Sequence, residues 1–97
     1  MGLSYTDRGM IEKLIDGAIT DMSSTVNFIR NYRYSKILKE KDGNDFVLGY
    51  VIGRIDTTFK AEVFAQDRVL TNDEIMEIDD LIYNRTDELK EAIFKCG

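Results

Sequence analysis

Phe46-Val47-Leu48-Gly49-Tyr50-Val51-Ile52-Gly53-Arg54-Ile55-Asp56-Thr57-Thr58-Phe59-Lys60-Ala61-Glu62-Val63-Phe64-Ala65-Gln66 is the stretch on which the fold class turns. Leu48, Val51, Ile52, Ile55, Phe59 and Val63 recur at intervals of three and four, the spacing that gathers side chains along one stripe of an α-helix. Arg54, Thr57 and Lys60 then fall toward the other side, which predicts a helix over about 45–66. A β-hairpin at about 46–65 is the rival reading. Residues 46–55 are rich in strand formers, Asp56-Thr57-Thr58 offers a turn, and Phe59, Ala61, Val63 and Ala65 alternate with Lys60, Glu62, Phe64 and Gln66. The helix is favoured because a single period spans the whole stretch and the turn lacks glycine.

The flanking segments repeat the helical period. Met10, Ile11, Leu14, Ile15, Ala18, Ile19, Met22, Val26 and Ile29 line one stripe, starting near Ser4 or Thr6 with Ser4 as N-cap and Asp7 three residues on to complete a capping box. Ser23-Ser24-Thr25 have modest helix propensity, so this helix should bend or end there, leaving 30–41 for a further short helix. Lys41-Asp42-Gly43-Asn44-Asp45 reads as a loop. Thr71 with Glu74 forms a second capping box, Leu70 and Ile75 form its hydrophobic staple, and Ile75, Ile78, Leu81, Ile82, Leu89, Ala92 and Ile93 make the inward face of one last long helix. Proline, the strongest helix breaker, does not occur. The expected fold is therefore all-α: one domain over 1–97, a compact antiparallel bundle of three long helices with room for one short helix. The α+β arrangement with the central hairpin is the alternative.

A chain of 97 residues with 43% apolar and 32% charged residues holds enough hydrophobic surface for one core. The longest apolar run, 46–55, is half of what a bilayer span needs, and the N-terminus lacks a basic-then-apolar secretory signal. No membrane association and a cytoplasmic location are the expectations. Met1-Gly2-Leu3-Ser4-Tyr5-Thr6 matches the loose myristoylation pattern without basic support, and Asn84-Arg85-Thr86 matches a glycosylation acceptor inside a predicted helix. Both are read as chance.

With no histidine, the Ser-His-Asp and Cys-His arrangements, Glu-x-x-His di-iron motifs and the usual zinc sites drop out. The lone Cys96 has no base to activate it, and Gly49-x-x-x-Gly53 is followed by Arg54 rather than the Gly-Lys-Ser/Thr of a phosphate-binding loop. Asp73, Glu77 and Asp80 would share a helical face, but acidic residues near a helix start complement its dipole more often than they hold a metal. No catalytic residue, cofactor or metal ligand is assigned, and enzymatic activity is not expected.

Two features point to binding instead. Gly49 and Gly53 lie one turn apart and would admit a close helix, with Val47, Tyr50 and Val51 carrying apolar surface around them, so a protein interface, most simply a homodimer, is expected at these five residues. Segment 30–41 holds five of the 13 basic residues and one of the 18 acidic ones, making it +4 against −9 elsewhere. Arg30, Arg33, Lys36 and Lys39 with Tyr32 and Tyr34 supply the phosphate contacts and stacking surfaces of a nucleic-acid site. The remaining −9 would repel a polyanion, so this stays the alternative to a self-associating protein-interaction module, and the basic segment could equally dock on an acidic protein face.

Overall fold

The computed structural model describes residues 2–33 and 43–96. Its elements are α1 (Tyr5–Thr20), α2 (Met22–Phe28), a π-helical turn (Ile29–Arg33), α3 (Gly43–Ala65), α4 (Asn72–Tyr83) and α5 (Thr86–Phe94). The architecture is all-α, with no strand among the described residues, so the hairpin alternative at 46–65 falls. Helix α3 starts at Gly43, two residues before its expected beginning. Gly43, Asn44 and Asp45, read as part of a loop, form its first turn, where Asp45 complements the dipole and Asn44 Oδ1 accepts a 2.7 Å hydrogen bond from Arg30.

The five helices make three legs. Leg one runs through α1, α2 and the π-helical turn, α3 is the second, and α4 with α5 is the third. Leu3 and Arg8 lie beside Glu77, Glu12 and Asp16 beside Arg85, and Ile19 and Met22 beside Ala92 and Cys96, so legs one and three run the same way. Asp7 meets Arg68 just beyond the end of α3, and Arg30 meets Asn44 at its start, so the second leg runs opposite. At roughly 1.5 Å per residue α3 extends about 34 Å along a body whose longest dimension is 43 Å.

Each leg contributes its apolar stripe to one core. Ile11, Ile15, Met22, Val26 and Ile29 come from the first leg, Val47, Val51, Ile55, Phe59 and Val63 from α3, and Ile78, Ile82, Leu89 and Ile93 from the third. Met10, Leu14, Ala18, Ile19, Leu48, Tyr50, Ile52 and Leu81 pack around its rim.

The bends fall where local backbone chemistry puts them. The first leg bends at Asp21 (φ −93°, ψ 10°) and not at Ser23-Ser24-Thr25, which are helical; the hydrogen bonds Asp21 N–H to Gly17 O and Thr25 N–H to Asp21 O carry the chain across with little loss. The third leg, expected unbroken, divides at Asn84–Arg85. Arg85 N–H closes a tight bond on Ile82 O (3.1 Å) and the Thr86 hydroxyl donates to the same oxygen (3.0 Å), a back-bonding pattern that bends helices. Ile82 and Leu89 are seven residues apart, two turns, so the core stripe keeps its phase across the bend.

Three caps define the lower end. Ser4 Oγ accepts the Asp7 N–H at 3.1 Å, and Thr71 and Glu74 form the reciprocal capping box expected of them. α3 ends in a Schellman motif: Asp67 N–H bonds to Phe64 O (3.0 Å), Arg68 N–H bonds to Val63 O (3.2 Å), and Asp67 takes the left-handed conformation at φ 55°. This turn delivers Arg68 to Asp7, whose carboxylate receives two bonds of 3.1 and 2.7 Å from the guanidinium.

Candidate interaction surface

Helix α3 is apolar on more than its buried side. The core stripe, Val47, Val51, Ile55, Phe59 and Val63, repeats every four residues. Centred on the opposite side, at roughly 100° per residue, Phe46, Tyr50, Gly53, Thr57, Lys60 and Phe64 repeat at alternating intervals of four and three, the spacing of a helix-pairing seam, with Tyr50 at its edge. Phe64 is 80% exposed and Phe46 36%, while Gly49, Gly53, Thr57 and Ala61 are all exposed. A Cβ built on Gly49 or Gly53 would meet no heavy atom within 4 Å among the described residues. Carboxylates are absent from this ridge, and its one charge, Lys60, bonds to Asp56 Oδ2 on the flank at 3.0 Å.

The five expected interface residues therefore part company. Val47 and Val51 are buried in the chain's own core, at 0% and 3% exposure, and present nothing to a partner. They belong to the stripe that α1 and α5 cover. Gly49 and Gly53 face outward, and Tyr50 is half-buried between the two sides. Phe64, Thr57 and Ala61 complete this surface, and the four-and-three spacing running through Phe64 is present in the sequence. It is hidden because the core stripe on the same helix is the stronger signal.

Of the basic, tyrosine-containing set, Arg30 is half-buried and engaged with Asn44, and Tyr32 and Arg33 lie in the π-helical turn. Tyr34, Lys36 and Lys39 lie outside the described residues.

Elsewhere, Arg8, Arg68 and Arg85 form ion pairs that join the legs. Arg68 outweighs the cost of burial and holds the Asp7 carboxyl below the usual carboxylate range, with Ser4 assisting. Glu77, one of the three carboxylates weighed for a metal, receives Arg8 and the Leu3 N–H (3.0 Å), which likewise hold it low. Among the described residues no three such side chains come together to hold a metal ion. Arg85, 19% exposed in its side chain, reaches Asp16 (2.7 Å) and Glu88 (2.9 Å); Glu88 first and Asp16 second push its pKa upward, and Arg85 in turn lowers that of Glu88. Gly2 sits so close to Glu77 that an added methyl group would press on the carboxylate. Cys96 Sγ contacts Ala92 O at 3.2 Å. No helix among the described residues is long and apolar enough to cross a membrane. No protein-family model, curated protein or solved structure matches the chain.

Proposed function

We propose that this chain is a helical protein-interaction module that works by binding, and that it associates with itself through the outward ridge of α3. The observation that carries this reading is the ridge itself: a run of small residues, Gly49, Gly53, Thr57 and Ala61, ending in an 80% exposed Phe64 and carrying the single charge of Lys60, on a helix whose opposite side already fills the core. Exposed large apolar side chains are ordinary when scattered, but two on one helix face with a run of small residues between them suit a second helix. Glycines in the middle of that face allow the axes to approach closely.

Sedimentation velocity from low to high micromolar concentration tests it. The wild-type chain should shift from monomer toward dimer, and Phe64→Glu should remain monomeric while keeping its helical circular dichroism. A wild-type chain that stays monomeric throughout would end this reading.

A further inference from the structure

The ridge has a symmetry that bears on its partner. Phe46 and Phe64 stand nine residues on either side of Ile55, and Gly53 and Thr57 two on either side. Each pair also lies within about 20° of the ridge centre line when residues advance by roughly 100°. A two-fold axis perpendicular to the helix at the level of Ile55 therefore maps the ridge onto itself. Resting on the self-association proposed above, we infer that two copies pair their α3 helices antiparallel, in the register that sets Gly53 of one copy against Thr57 of the other.

Size and charge both favour this arrangement. In a two-fold interface each contact occurs twice, residue i with j and j with i, so a workable register must match every position with a complement. Here the glycine that leaves open space meets the small Thr57, and the Phe64 ring of each copy meets Phe46 of the other at the two ends. Lys60 of one copy passes over the other's Gly49 toward its Asp45, which is exposed at the N-terminal end of α3. A parallel pair in register would instead bring Lys60 beside Lys60 with no carboxylate opposite it. Antiparallel helices also set opposite dipole ends together. A helix of about 34 Å by 10 Å covers roughly 350 Å² per copy, below the standard interface of about 800 Å² per partner. The dimer is accordingly a weak one, seen at high micromolar concentration.

Disulfide trapping separates the possibilities. In a Cys96→Ser background, purified Gly53→Cys and Thr57→Cys chains carrying different tags are mixed and oxidised gently at the concentration where sedimentation shows dimer. The antiparallel register brings these two β-carbons to about the 4 Å that a disulfide spans, with the two copies of position 53 farther apart. The mixed 53–57 product should exceed either homodisulfide by at least fivefold. Gly49→Cys with Lys60→Cys, a second pair on the flank, should behave likewise, and Gly17→Cys, also open but on α1, should remain uncrosslinked. Dominant 53–53 and 57–57 products would mean a parallel pair and overturn the inference. So would a dimer that crosslinks at neither pair, since it would use another surface. A monomer in sedimentation would instead overturn the function proposed above.

Discussion

Phe59 and Phe64 lie five residues apart on α3 and sit in opposite surroundings: Phe59 is 1% exposed and Phe64 80%. Truncating Phe59 to alanine removes a filled core position and should cost about 3–5 kcal/mol. That is a large part of the roughly 5–15 kcal/mol expected for a domain of this size, and at about 4–8 °C per kcal/mol it corresponds to a loss of more than about 12 °C in Tm. Phe64→Ala, where nothing in the monomer is lost, should stay within about 0.5 kcal/mol. Ala61→Lys completes the set. In the helix Ala61 is exposed, so lysine should also cost no more than about 0.5 kcal/mol, whereas a strand pairing would place residue 61 on the same inner face as Phe59 and Val63 and bury the charge. Urea unfolding followed by far-UV circular dichroism, at low micromolar concentration so that association does not contribute, gives all three values. An Ala61→Lys or Phe64→Ala midpoint as depressed as that of Phe59→Ala would refute the assignment of the two faces.

Asp67→Gly should raise stability by about 0.5–1 kcal/mol, because glycine takes the left-handed conformation at φ 55° without a Cβ penalty; thermal unfolding reads it, and a fall in Tm would show that the aspartate side chain matters more than its backbone. Asp7, held low by Arg68, contributes stability that is present above its unfolded pKa of about 3.9 and lost as pH falls through the folded value. Below about pH 4 wild type should therefore lose stability more steeply than Asp7→Asn, and parallel acid limbs would remove the pair from the account. Labelled duplex DNA and single-stranded RNA should show no salt-dependent anisotropy change with this chain. Binding that weakens from about 50 to 200 mM salt and vanishes when Arg30, Arg33 and Lys36 become Glu would move function to the basic segment.

The fold was legible wherever a periodic stripe coincided with a cap. Ser4 as N-cap, Thr71 with Glu74, and the stripes through Ile11–Ile29 and Ile78–Ile93 all agree with the structure, because caps and periodicity are local in sequence, whereas Ile75, expected on the inward face, is not part of the core. The bends were not. The break at Asn84–Arg85 depends on the Thr86 hydroxyl turning back to Ile82 O and on Arg85 being drawn toward Asp16, 69 residues earlier, and neither is visible in a helical pattern that keeps its phase. Asp7 was read for the capping box, but its main partner, Arg68, arrives only through a turn that uses a non-glycine residue at positive φ. Along α3, Gly49 and Gly53 are exposed while Val47 and Val51, expected beside them, are buried, for one reason: the sequence shows apolar residues on two sides of the helix, and only the packing of α1 and α5 decides which side is used up.

The division of the outer legs has a consequence for how the molecule opens. α2 is seven residues long and α5 nine, both shorter than the dozen or more that an isolated helix needs to hold its shape in water. Their amides are thus shielded from solvent exchange largely by tertiary docking, through Met22 and Val26 in one and Leu89 and Ile93 in the other. α2 and α5 pack on each other, so releasing either one removes part of the other's support. The end of the bundle that carries both should open as one cooperative unit ahead of the rest, while the far longer α3 stays folded as the template on which it closes again.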